Sequence, residues 1–165
     1  MLLIAAIALL AGSALPTGAQ TPPPQDPRAA QFDFWVGVWD LTSGDKPAGT
    51  NTITKEFDGA VIMEHFSGIP QPGLNGMSVS VFNPATGKWH QTWVDNQAGY
   101  LDFVGEFADG KMILSRHANR AGKDFLQRMV WSNIGPDSFD WSWERSDDNG
   151  ATWQVVWPIH YTRKK

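Results

Sequence analysis

From Trp35 to the C-terminus, apolar and polar side chains alternate with period two in short runs. Trp89, Gln91 and Trp93 share one face of such a run, as do Leu101, Phe103 and Phe107. Phe125, Gln127, Met129 and Trp131 line up in the same way, followed by Phe139, Trp141 and Trp143, then Trp153, Val155, Trp157, Ile159 and Tyr161. The opposite faces carry His90 and Thr92, Asp102 and Glu106, Arg128 and Ser132, Asp140, Ser142 and Glu144, and Gln154 and His160. One dry face and one wet face predict antiparallel strands laid over a core. The run from Ala60 to Gly68 is ambiguous. Ile62 and Phe66 share a face with Glu64, while Val61 and Met63 share the other with His65. Two half-apolar faces suit a strand covered on both sides, by an N-terminal segment or by a second subunit.

Turn chemistry separates the runs at even intervals. It falls at Gly44 to Pro47, Asp58-Gly59, Pro70 to Gly73, Asn83 to Gly87, Asn96 to Gly99, Asp109-Gly110, Asn119 to Gly122, Gly135 to Asp137 and Asp147 to Gly150. Gly, Asn and Asp supply positive φ or side-chain turn bonds there, and Pro84 and Pro136 stop a strand from continuing. The only helical candidate is the short stretch from Pro27 to Phe34. The expected fold is all-β: a single up-and-down antiparallel β-barrel of about ten strands with a short N-terminal helix. A sandwich would need a long crossover, and no connection is long enough; closure also removes exposed strand edges.

The two ends differ from this pattern. Met1 to Ala14 is apolar apart from Ser13, too short for a spanning helix, and Thr17-Gly18-Ala19 offers a cleavage site before Gln20. Residues 1–19 are therefore expected to be a signal peptide, which places the protein outside the cytoplasm, periplasmic or secreted. Residues 20–30, with Pro22, Pro23, Pro24 and Pro27, read as a Pro-rich tether, and 31–163 as the barrel domain. Arg163-Lys164-Lys165 reads as a solvated basic terminus.

Composition narrows the chemistry. With 13 Lys+Arg against 17 Asp+Glu, the net charge of −4 argues against nucleic acid, which needs a basic patch. There is no cysteine, hence no disulfide and no thiolate site. His65, His90, His117 and His160 show no metal-binding spacing. No Ser-centred elbow, phosphate loop or zinc motif is present, and Asp102, Glu106, Asp140 and Glu144 fall on the outward parity, so no catalytic residue, metal ligand or cofactor is assigned.

Nine tryptophans in 165 residues are the unusual feature. A ten-stranded barrel has a lumen wider than aliphatic side chains fill, so large rings either complete the core or line a pocket for a small apolar or aromatic ligand. Gln91, inward between Trp89 and Trp93, must pair with another interior group or read a ligand; Arg145, on the parity of Trp141 and Trp143, is a candidate partner. The candidate ligand-binding set is Gln91, Trp93, Trp131, Trp141 and Trp143. Ser146-x-Asp148-x-Gly150-x-Thr152-Trp153 matches an Asp-box, a hairpin clip held by local side-chain bonds.

Three blocks carry a family resemblance: Gln31-Phe32-Asp33-Phe34-Trp35-Val36-Gly37-Val38-Trp39-Asp40, Asn83-Pro84-Ala85-Thr86-Gly87-Lys88-Trp89-His90-Gln91-Thr92-Trp93-Val94-Asp95, and Trp143-Glu144-Arg145-Ser146-Asp147-Asp148-Asn149-Gly150-Ala151-Thr152-Trp153. With Ala48-Gly49-Thr50-Asn51, they resemble the DUF1579-type family of exported bacterial proteins of unknown function. The resemblance implies a lipocalin-like barrel and no particular activity. The Gly37-x-Trp39 step is also similar to the opening of nitrobindin-like haem barrels. That alternative implies a haem held by His160, turned inward by a bulge at Pro158. A structural or interaction barrel with a filled interior is the third reading.

Overall fold

The structure, a computed structural model, describes residues 26–70 and 72–165. The expected signal peptide and residues 20–25 of the tether lie outside them. Ten antiparallel strands follow in chain order: β1 (Gly37–Ser43), β2 (Lys46–Glu56), β3 (Val61–Gly68), β4 (Asn75–Asn83), β5 (Lys88–Asp95), β6 (Tyr100–Ala108), β7 (Lys111–Arg120), β8 (Lys123–Ser132), β9 (Ser138–Ser146) and β10 (Gln154–Arg163). Each pairs with its sequence neighbours, and β1 pairs with β10 to close the barrel. It is the all-β up-and-down barrel that the alternation and turns indicate, and every connection falls on one of the turn clusters. Among the described residues, no helix is long and apolar enough to cross a membrane.

The short N-terminal helix is two 3-10 turns, Pro27–Ala30 and Asp33–Trp35. Asp26 caps the first through its side chain, and Pro27 sits where no N–H is needed. The end of the expected tether is thus packed: the Arg28 guanidinium lies 5.3 Å from the centre of the Phe82 ring. The second turn drops Phe32 and Trp35 into one end of the barrel, where both are fully buried. Phe32 meets Trp89 and Trp131 edge-on at 4.9 and 5.1 Å between centroids. The Trp39 indole N–H donates to the Trp35 carbonyl oxygen at 2.8 Å, and that of Trp89 to Gln31 Oε1 at 3.3 Å.

Arg163 locks this plug and is not a solvated terminus. Its Nη1 and Nη2 donate to the carbonyl oxygens of Val36 and Phe34 at 2.9 and 3.3 Å, its Nε donates to that of Pro136 at 2.8 Å, and its guanidinium lies 4.1 Å from the centre of the Trp39 ring. Gly37 makes room for it: a Cβ there would come within 2.3 Å of Arg163 Nη1, and φ is +142°.

The pairing register shifts twice, at Ala48 in β2, which falls between the Leu41–Gly49 and Thr42–Pro47 pairs, and in β10. Val155 pairs with Glu144 and Trp157 with Trp143, so Val156 is an extra, bulged residue. Trp153 and Val155 therefore do not share the inner face with Trp157, Ile159 and Tyr161. Val155 is outside and exposed, and Trp153 belongs to the β9–β10 hairpin. There Gly150 N–H donates to Ser146 Oγ at 2.8 Å and Thr152 N–H to Asp148 Oδ1 at 2.9 Å. Trp153 Nε1 donates to the Gly150 carbonyl oxygen at 3.1 Å. The Asp-box is a hairpin clip. Its hydrogen bonds from Thr152 and Ser146 hold the exposed Asp148 carboxyl down to about 2.

Candidate functional site

The end of the barrel opposite the plug is hollow. A cavity of about 270 Å³ opens between the strand ends, lined by Trp93, Trp131, Trp141, Trp143 and Trp157, by Phe66, Leu101, Phe103 and Met129, and by the carboxylates Glu64 and Asp95. The mouth lies at the β3–β4, β5–β6 and β9–β10 connections, since Phe66, Trp93, Trp143 and Val156 are near those strand ends. Trp141 meets Trp157 edge-on at 5.7 Å and Trp131 at 6.4 Å, so the rings form a continuous wall down to the plug.

The facing wall is polar, on β2 to β5. Asn51, Glu64, Ser78, Ser80 and Gln91 all point inward and are buried. Gln91 donates from Nε2 to Ser80 Oγ at 2.9 Å, is not among the residues lining the cavity, and does not meet Arg145. Arg145 instead pairs with Asp147 at 2.6 Å and covers the Phe125 ring. Of the five candidate residues, the structure brings Trp93, Trp131, Trp141 and Trp143 together around one cavity and leaves Gln91 in a satisfied pair behind it.

Glu64 is the residue that sequence reasoning did not single out. It is the middle member of the Ile62-x-Glu64-x-Phe66 face, and that face is the lumen. Asn51 Nδ2 donates to Glu64 Oε1 at 2.7 Å and to the Tyr161 hydroxyl at 3.1 Å; Ser78 Oγ donates to Glu64 Oε2 at 2.5 Å. Burial in an apolar lumen pushes the Glu64 carboxyl up to about 7, against these hydrogen bonds from Ser78 and Asn51, which favour the charged form. Burial, with the charge of Glu64 beside it, also raises the Tyr161 hydroxyl far above its ordinary value.

Asp95 stands at the mouth in the opposite condition. Burial works against its charge, but the Trp93 indole N–H at 2.9 Å and the backbone N–H groups of Gly99 and Gln97 outweigh it and hold the carboxyl below its ordinary range. Trp93 is fixed by this bond and by Gly76, where a Cβ would come within 2.2 Å of the indole ring.

The remaining titratable candidates are elsewhere. His65, His90, His117 and His160 all occupy outward register positions. The bulge falls at Val156 rather than Pro158, and His160 Nδ1 contacts Asp140 Oδ1 at 2.7 Å on the outer surface. The lumen thus holds no imidazole for a haem iron, and the residues present do not fit the haem alternative. Glu106 pairs with Lys88 on the outer face, and Glu144, though buried, is also outside, held by Arg128 at 2.6 Å under the Trp153 ring.

No family model matches the sequence, and no curated protein does.

Proposed function

We propose that the protein is an exported carrier or sensor of the DUF1579 type that binds one small, largely apolar molecule in the open half of its barrel. The observation that carries this reading is the aromatic cavity itself. Its volume of about 270 Å³ sits just under the range of small-molecule sites and holds a ligand of about 10–15 non-hydrogen atoms at interior packing density. Five of its lining side chains are indoles on inward strand positions. Export rests on the apolar leader of residues 1–19, and the family on the three motif blocks.

The test is calorimetric titration with 1-naphthalenemethanol, a neutral probe of this size. One saturable equivalent, weakened at least tenfold in Trp141→Ala with the circular dichroism spectrum intact, supports a binding barrel. Absence of saturable binding leaves the barrel a structural or interaction module.

A further inference from the structure

The cavity lining is charged as well as aromatic, and its charge has one sign. Among its residues are two carboxylates, Glu64 and Asp95, and no Lys, Arg or His. A buried carboxylate usually has a cationic partner in the protein, because desolvating it alone is costly. Around Glu64 the neighbouring elements supply only neutral partners: the donors Asn51 from β2 and Ser78 from β4, with the Tyr161 hydroxyl of β10 accepting from the same amide. Each carboxylate oxygen receives one hydrogen bond and can accept a second. Phe66, one inward step along β3 toward the mouth, lies between Trp93 and Trp157, edge-on at 6.0 Å from each. Asp95, bonded to Trp93, waits at the rim.

We propose that the ligand of this cavity is a monocationic amine with a compact aromatic or apolar body. Its ammonium group donates to Glu64, past the Trp93, Phe66 and Trp157 rings, and its body lies on Trp141 and Trp143. The inference rests on the binding function proposed above. It supplies the missing counter-charge from the ligand, and the rings add attraction for a desolvated cation. Anionic amphiphiles meet two carboxylates and are rejected. The buried position of Glu64 keeps a substantial part of it protonated near neutral pH. An amine therefore displaces a proton on binding, and its affinity falls as pH drops below about 7. Glu64, Asp95 and Tyr161 are the titratable groups in the lining, and only Glu64 changes charge in that window.

The experiment compares three isosteric probes by calorimetry at about pH 8: 1-naphthylmethylamine, 1-naphthalenemethanol and 1-naphthoate. The amine is expected to bind at least tenfold tighter than the alcohol, and the naphthoate least. In Glu64→Gln the amine should lose its advantage, amine and alcohol then binding within about twofold of each other. Should Glu64→Gln fail to fold, the wild-type protein still decides. Amine binding at about pH 6.5, repeated in buffers of different ionisation enthalpy, should release protons while alcohol binding releases none. Equal binding of amine and alcohol, or amine binding without proton release, overturns the inference and leaves the binding function standing. No binding of any probe overturns both.

Discussion

The two halves of this barrel are built from the same residue type and have opposite properties. At the plugged end, Trp35, Trp39 and Trp89 are buried against Phe32 and Phe139, with Trp131 standing between plug and cavity, and two of the three plug indole N–H groups find acceptors among plug residues. At the open end, Trp93, Trp141, Trp143 and Trp157 stand around empty space and are only partly buried. The difference comes from what enters the lumen. Gln31 to Trp35 folds back into one mouth and Arg163 ties it down, whereas among the described residues the other mouth has only hairpin connections. A tryptophan fills a barrel where a second chain segment meets it and lines a pocket where none does.

The largest expected effect of that difference is on stability. Trp35→Ala opens a void in the plug and should cost about 3–5 kcal/mol, read as a shift of the urea midpoint. Trp143→Ala, at the mouth, should cost about 1–2 kcal/mol and weaken naphthalenemethanol binding instead. Equal losses from the two variants would break the comparison.

Next comes the cost of keeping Glu64 in the open half. Its carboxyl titrates near 7 in the folded protein against 4.5 ordinarily, so the folded state holds the proton more tightly than the unfolded one. That contribution is complete below about pH 4.5 and is lost as pH rises through 7, a decline of about 3 kcal/mol. Glu64→Gln removes the slope. The variant should therefore be more stable than the parent at about pH 8 and show little gain at about pH 5, by denaturation at each pH. Gly76→Val sharpens the comparison further. Its side chain would push the Trp93 ring inward, and probe affinity should fall by about tenfold with a stability loss of only about 1–2 kcal/mol. Smallest of all, His160→Ala on the outer surface should change stability by less than about 0.5 kcal/mol and leave probe binding unaltered.

Much of this was legible before folding. Strand number, turn positions and the inward parity of Trp93, Trp131, Trp141 and Trp143 follow from period-two alternation and Gly, Asn and Asp punctuation, which are local signals. Three features depend on register or on distant contacts and were not. Gln91 finds Ser80 only because β4 and β5 pair in that register. The bulge at Val156 leaves no local mark, since Val155 and Val156 suit either face, and it displaces Trp153 and Val155 from the inner row. The function of Arg163 depends on carbonyl groups some 127 residues away in sequence. Glu64 lies between these cases. Its place between Ile62 and Phe66 was visible, but which face of β3 becomes the lumen is decided by closure of the whole sheet.

The division into a filled and a binding half is tested most directly by following the nine indole N–H signals in ¹⁵N-resolved NMR spectra while 1-naphthylmethylamine is added. Trp93, Trp131, Trp141, Trp143 and Trp157 should move together and saturate at one equivalent, with Trp35, Trp39, Trp89 and the outer Trp153 unmoved. Saturable shifts at Trp35 and Trp89, or none at the five cavity indoles, would contradict it.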